Sequence, residues 1–221
     1  MRMRKKKWAD PWLDAHTDYI YQNPVAYKGK WKELLNCETL HLEIGMGKGS
    51  YLQQMSKMYP QDGWIGMEKD RSAAAVAARS QIENENDLSN NRMIAGDAEN
   101  IPEWFEKGEV DCIHLNFSDP WPKKHYHKRR LSSARFLDIY RNILSKDGRI
   151  IMKTDNKDLF EDSVLYFLEN GFALKEFSVD FRRNEHPEDA ITEYESKFMA
   201  EGLPIYRLVA IDTHTDSYEE D

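Results

Sequence analysis

The sequence predicts an α/β fold, a mostly parallel twisted sheet with helices on both faces. Three observations predict it. Strand-like and helix-like segments alternate along most of the 221 residues. A glycine-rich turn joins the first strong strand to a helix. Apolar residues are 40% of a 26.0 kDa chain, enough for one sizeable core.

The elements follow in order. Residues 39–44 read as a strand and 49–59 as a helix. Residues 63–68 form a second strand, and an alanine-rich helix follows from 71 to about 83. A third strand covers 92–95. A fourth covers 110–117, with aliphatic side chains at Val110, Ile113 and Leu115. Phe136, Ile139, Tyr140 and Ile143 recur at helical spacing and predict a helix over 133–144. A fifth strand at 148–153 and a helix at 156–169 come next; 172–181 and 205–211 read as two late strands. Residues 1–35 lie outside this repeat and are expected as a basic arm with a short helix near 30–35. Residues 36–221 are then the main domain.

Composition excludes several classes. No apolar run approaches the roughly 20 residues of a membrane helix, and no apolar segment follows the basic start, so it does not read as a secretory signal. Cys37 and Cys112 form no CxxC pair, which leaves no disulfide framework, no structural zinc site and no other metal expected; both thiols suit a reducing cytoplasm. Net charge is −8, so overall charge does not attract nucleic acid. The charge is segregated, however. Arg2, Arg4, Lys5, Lys6 and Lys7 precede any acid. Lys123, Lys124, Lys128, Arg129 and Arg130 cluster with His125 and His127, while residues 216–221 are acidic. Screening confines each charge to about 8–10 Å, so local patches decide phosphate contacts.

The first strand ends in Glu43-Ile-Gly45-Met-Gly47-Lys-Gly49. Glycines there let the backbone turn sharply and approach a ligand. The spacing is GxGxG, not the GxGxxG of a dinucleotide fingerprint. Glu68 ends the second strand, where an acid can accept from both ribose hydroxyls. Asp97 closes the third strand and by itself reads equally well as a turn residue. The fourth strand runs into Asn116-Phe-Ser118-Asp119-Pro120-Trp121-Pro122 and then the basic run. Ligands in open parallel sheets sit outside the carboxyl ends of the strands. There Asp119 offers a carboxylate, Trp121 a surface for base stacking, and the basic run a grip on phosphates.

The E-x-G-x-G-x-G turn resembles the first motif of class I S-adenosylmethionine-dependent methyltransferases, a Rossmann-like fold. The loop N-F-S-D-P-W-P-K-K-x-x-x-K-R-R resembles, more specifically, that of bacterial transfer RNA (guanine-N7)-methyltransferases. Lys153-Thr154-Asp155-Asn156, Thr192-Glu193-Tyr194-Glu195-x-Lys197-Phe198 and the start Arg2-Met3-Arg4 with Trp8 are similar to further motifs of that family, so the resemblance spans nearly the whole chain. It implies a methyltransferase domain over 36–221 and S-adenosylmethionine as cofactor, held by Glu43, Gly45, Gly47, Glu68, Asp97 and Asp119. The implied substrate is transfer RNA, methylated at guanine N7, chiefly at position 46 of the variable loop. Asp119 is the implied catalytic residue. Lys123, Lys124, His125, Lys128, Arg129, Arg130, Asp155, Thr192, Glu193, Tyr194 and Glu195 are the implied RNA contacts. From spacing alone, Asp155 and Thr192-x-x-Glu195 read as helix caps. A homodimer is compatible with the sequence, and no obligate protein partner or membrane is implied. Three other readings stand beside this one: a methyltransferase for small molecules or proteins, a dehydrogenase that the glycine spacing disfavours, and a non-catalytic RNA-binding module.

Overall fold

Buried strands alternating with helices build an eight-stranded sheet in this computed structural model, which describes residues 4–84 and 89–214. Arg2 and Met3 of the basic start and the acidic run 216–221 lie outside the described residues. The strands are β1 (Ile20–Tyr21), β2 (Leu40–Ile44), β3 (Gly63–Glu68), β4 (Asn91–Ala95), β5 (Val110–Asn116), β6 (Leu144–Thr154), β7 (Phe172–Ser178) and β8 (Tyr206–Asp212). Their spatial order is β1-β4-β3-β2-β5-β6-β8-β7. All neighbours from β1 to β6 run parallel, and β8 lies antiparallel between β6 and β7.

The helices are α1 (Ala9–Ala15), α2 (Trp31–Leu35), α3 (Ser50–Met58), α4 (Arg71–Glu83), α5 (Ile101–Trp104), α6 (Ala134–Ile143), α7 (Lys157–Glu169) and α8 (Glu193–Ala200). Strand side chains alternate between two apolar clusters. Ile65, Met67, Ile113 and Leu115 join Trp31, Trp104, Phe136, Leu137 and Phe160 of α2, α5, α6 and α7. Trp64, Met93 and Ala95 join Leu13, Leu52, Met55 and the alanines of α4 on the opposite face. Small alanines let α4 lie close to the sheet. Asp70 starts that helix by accepting from the N–H groups of Ser72 and Ala73.

Residues 1–35 are not set apart from the domain as the sequence pattern suggested. β1 adds a parallel edge strand beside β4. Ala9 and Leu13 are buried against α4, and Arg71 pairs with Asp10 at 2.5 Å. Trp31 is fully buried, its indole N–H donating to the Trp104 carbonyl at 2.9 Å. The physical reason is apolar area: the aromatic and aliphatic side chains of 8–35 complete both faces of the sheet. The cationic start, Arg4 to Lys7, stays exposed. The strand expected over 172–181 ends earlier, at Ser178, because Phe181 turns inward in a short 3-10 segment. β6 is longer than expected, beginning at Leu144.

Candidate functional site

The carboxyl ends of β4, β3, β2 and β5 lie side by side, so Asp97, Glu68, the glycine turn and the Asp119 loop share one edge. The turn is a backbone device. The N–H groups of Gly45 and Met46 both donate to the Met67 carbonyl, at 2.9 and 3.0 Å. Gly45, Gly47 and Gly49 have φ of 80°, 58° and 75°, left-handed values that glycine adopts without steric cost. A Cβ on Gly49 would also meet Met93 Cε at 3.1 Å and Ala77 Cβ at 3.2 Å, which shows how closely α3 approaches α4.

Glu68 secures this turn. Its Oε2 accepts from the Gly47 N–H at 3.0 Å and its Oε1 from the Asp70 N–H at 2.8 Å. Burial raises its pKa. Glu43 is buried beneath the turn, where Asn116 Nδ2 donates to its Oε1 at 3.1 Å. Burial pushes its carboxyl up to about 7, against the lowering effects of Asn116 and Lys153. Glu43 Oε2 and Asn116 Oδ1 are buried and accept no hydrogen bond. Two unused acceptors below a glycine turn fit a donor-rich cationic group such as an α-ammonium. Asp97 caps the short 3-10 turn after β4 by accepting from the Glu99 N–H at 3.1 Å, and it pairs with Lys69 Nζ at 2.5 Å.

Beyond β5 the chain bends through two non-glycine residues at positive φ, Phe117 at 50° and Trp121 at 42°. Such angles cost energy and need support from neighbours. At Trp121 the support comes from Arg130. Its guanidinium is only 2% exposed; Nε donates to the Pro120 carbonyl at 2.8 Å and Nη1 pairs with Asp162 Oδ2 at 2.5 Å. Arg130 was expected on RNA, and its burial corrects that: the guanidinium is spent on holding the loop. Asp119 is exposed at the tip of the same loop, as are Lys123, Lys124, His125, Lys128 and Arg129. Residues Lys124–Arg129 form a 3-10 segment. Arg129 lies over the rings of Tyr126 (4.7 Å) and Trp121 (5.1 Å), so Trp121 already has a stacking partner.

The start of α8 closes on this loop. Thr192 and Glu195 form a complete capping box, as their spacing alone predicts. Glu193 reaches Lys48 of the glycine turn at 2.9 Å. The Tyr194 ring, 50% exposed, lies 6.2 Å from Phe117. Glu195 is fully buried and pairs with Lys153 and Arg182. Thr192 is buried as well, while Glu193 and Tyr194 are exposed. Asp155 does not cap α7; Asn156 does, accepting from the Leu159 N–H at 2.8 Å. The Asp155 carboxyl is left half-buried at the same edge, its pKa raised by burial.

Sequence reasoning assigned no role to Asn116, Lys153, Arg182 or Asp189. Signals were available for two of them: Asn116 and Lys153 each open a stretch that resembles a family motif, and Lys153 ends an apolar strand, Ile150-Ile151-Met152-Lys153. His41, Cys112 and His114 also cluster, all buried, on one face of β2 and β5. His41 Nδ1 and His114 Nε2 lie 3.0 Å apart in a mutual hydrogen bond, and His41 stacks on Trp64 at 3.9 Å. This is a packed imidazole pair, with three potential donors where a closed structural zinc site takes four.

A glycine turn under strands tipped by acids, in a sheet with one antiparallel strand inserted near its edge, defines a methyltransferase fold. Residues 37–208 match a family model described as a putative methyltransferase. The chain is 44% identical over 212 residues to the tRNA (guanine-N(7)-)-methyltransferase of Limosilactobacillus reuteri (strain DSM 20016), covering 95% of this chain and 99% of that one. It is 43% identical over 211 residues to the protein of the same description from Oceanobacillus iheyensis, covering 95% and 98%. The chain belongs to this family of bacterial tRNA (guanine-N7)-methyltransferases. Among solved structures, the 16S rRNA methyltransferase KamB superposes with a TM-score of 0.62 at 13% identity, over 83% of this chain and 93% of that one. A SAM-dependent methyltransferase from Aquifex aeolicus superposes with a TM-score of 0.56 at 14% identity, over 81% and 85%. These two share the fold.

Proposed function

We propose that the protein transfers the methyl group of S-adenosylmethionine to N7 of a guanine in transfer RNA, at position 46 of the variable loop, giving 7-methylguanosine. The observation that carries this reading is the meeting, at one sheet edge, of the glycine turn with Glu43 and Glu68 on one side and the Asp119 loop with the start of α8 on the other. Glu43, Gly45, Gly47, Glu68 and Asp97 hold the cofactor, with Glu43 Oε2 and Asn116 Oδ1 as acceptors for its ammonium group. When bound, the cofactor supplies an electrophilic methyl on sulfonium. Guanine N7 carries an in-plane lone pair and no proton, so it attacks in line and needs no general base. What the chain must provide is alignment, which lowers a barrier by several kcal/mol. Asp119, free and exposed at the loop tip, opposes the positive charge that grows on the purine.

Lys123, Lys124, His125, Lys128 and Arg129 face the RNA backbone, while Asp155, Glu193 and Tyr194 approach the target nucleoside. Arg130, Thr192 and Glu195, all buried, act from behind, by holding those segments. No helix among the described residues is long and apolar enough to cross a membrane. A cytoplasmic place of action fits a transfer RNA substrate, with a homodimer allowed and no other protein required. The test is to incubate the protein with unfractionated transfer RNA and methyl-labelled S-adenosylmethionine, digest the RNA and identify the labelled nucleoside. Label in 7-methylguanosine is expected. Label in any other nucleoside overturns the target atom, and no label with cofactor bound returns the small-molecule reading.

A further inference from the structure

β6 is apolar through Ile150, Ile151 and Met152 and then places Lys153 in the interior with no solvent exposure. Its ammonium lies 2.6 Å from Asp189 Oδ2 and 3.1 Å from Glu195 Oε2. Arg182 completes the group, with Nη2 2.5 Å from Asp189 Oδ2 and Nε 2.9 Å from Glu195 Oε1. Two cations thus meet two carboxylates. The Glu195 carboxylate also accepts from the Thr192 N–H at 2.8 Å, so the cap of α8 is part of the cluster. From the other side, the Tyr51 hydroxyl of α3 donates to Asp189 Oδ1 at 2.9 Å, and Lys153 Nζ sits 4.6 Å over the Tyr51 ring.

The main chain of Lys153 does a second job: its carbonyl accepts from the Phe117 N–H at 2.8 Å, at the base of the Asp119 loop. One residue therefore holds the Asp119 loop through its backbone and the Thr192–Tyr194 segment through its side chain. Buried ion pairs add little net stability over apolar packing of the same volume, so stability is a weak reason for a lysine here. What a paired ammonium adds is direction, because it fixes where both carboxylates and the segments carrying them must lie.

We propose that Lys153 is a positioning residue for RNA methylation: it sets the Thr192–Tyr194 segment against the Asp119 loop, touching neither RNA nor cofactor. The inference rests on the reading that these two segments meet the RNA.

The test uses the full chain with three variants. Lys153→Met removes the charge and leaves two carboxylates against one cation, so a lower melting temperature is expected. Lys153→Met with Asp189→Asn restores the charge balance and recovers most of that loss. Lys153→Arg keeps the charge with a different reach. Each is measured for melting temperature, cofactor Kd, and kcat and KM for transfer RNA. The expected result is a KM for transfer RNA raised about tenfold or more in both Met variants, including the thermally recovered double, as misplaced contacts produce. Cofactor Kd should stay within about twofold, far less than the cost of a misplaced reacting group. Lys153→Arg should recover part of the KM. A double variant that melts near the parent and shows parental KM and kcat overturns the proposal, because the lysine then serves folding alone. Parent protein that labels no transfer RNA overturns the functional reading itself. Parent labelling with Tyr194→Ala and Glu193→Ala at parental KM removes the RNA contact on which the proposal stands while leaving the function intact.

Discussion

The two halves of the functional edge are built by different physics. On the side proposed to hold the cofactor, from β4 to β2, backbone does the work: three glycines at positive φ, paired amides on the Met67 carbonyl, and Glu68 clasping the Gly47 and Asp70 N–H groups. Every part lies within a few residues of a strand end. On the side proposed to meet RNA, from β5 to α8, long side chains do the work. Arg130 reaches Pro120 and Asp162, and Lys153 reaches Asp189 and Glu195. The first half is held by hydrogen bonds among neighbours in sequence and across adjacent strands. The second half holds two strained residues, Phe117 and Trp121, and depends on charges paired across long sequence separations.

The largest test of this contrast is Asp119→Ala. Asp119 is exposed and is proposed to act on developing charge, so its removal should cut methyl transfer on the order of 10²-fold or more. Cofactor binding should fall far less. Single-turnover rates beside equilibrium cofactor titration separate the two, and parental turnover in the variant would remove Asp119 from the chemistry.

Arg130→Met comes next. It strips the Pro120 carbonyl and Asp162 of their donor and frees the loop that carries Asp119. Charge-assisted hydrogen bonds of this kind make the expected destabilisation about 2–3 kcal/mol. Turnover should drop with it, while the salt dependence of RNA binding stays as in the parent, since a buried guanidinium touches no phosphate. A shallower salt slope would instead place Arg130 on the RNA.

The contrast also explains what could be read in the sequence. The glycine turn, Glu68 and the strand-helix alternation were readable because each depends on neighbours in sequence. The alanine-rich helix over residues 71–83 and the strand over 63–68 lie where the sequence placed them. Residues 1–35 read as an arm because a two-residue strand has no period to detect, and its pairing with β4 bridges some 70 residues. Arg130 read as a phosphate ligand because nothing in a basic run marks which member faces inward; its partner, Asp162, is on α7. Thr192 and Glu195 were readable as a capping box, a local motif, but the ion pairs that bury Glu195 were not.

A pH series sharpens the cofactor half. Burial lifts the Glu43 carboxyl from 4.5 to about 7 in the free protein. A raised carboxyl contributes stability that is full below pH 4.5 and is lost as pH rises through about 7. His41 runs the other way. Burial lowers it from 6.5 to about 4, so its contribution is full above pH 6.5 and is lost as pH falls toward 4. For binding, the ionised Glu43 is the competent form toward an ammonium group. Cofactor affinity should therefore rise about tenfold from pH 6 to pH 8, the factor by which the ionised fraction changes. Glu43→Gln should flatten that rise while weakening affinity at pH 8. A slope that survives the substitution assigns the titration to another group.

The smallest effects belong to the exposed members of the basic run, and they divide that run internally. Lys124 and Lys128 sit on the 3-10 segment with exposed side chains, three residues before and one after the half-buried His127. Each is proposed to meet a phosphate. Lys124→Ala and Lys128→Ala should each weaken transfer RNA binding severalfold and reduce the slope of log affinity against log salt by about 1. Melting temperature and cofactor affinity should not move, because neither side chain holds the loop. Together with Arg130→Met, these variants separate two roles carried by adjacent residues of the same charge: loss of the slope without loss of stability marks a ligand for RNA, and loss of stability without loss of the slope marks a brace. If Lys124→Ala and Lys128→Ala instead lower the melting temperature and leave the slope unchanged, the whole run is structural and the RNA must be gripped elsewhere, with the exposed cations of Arg4 to Lys7 the next to substitute.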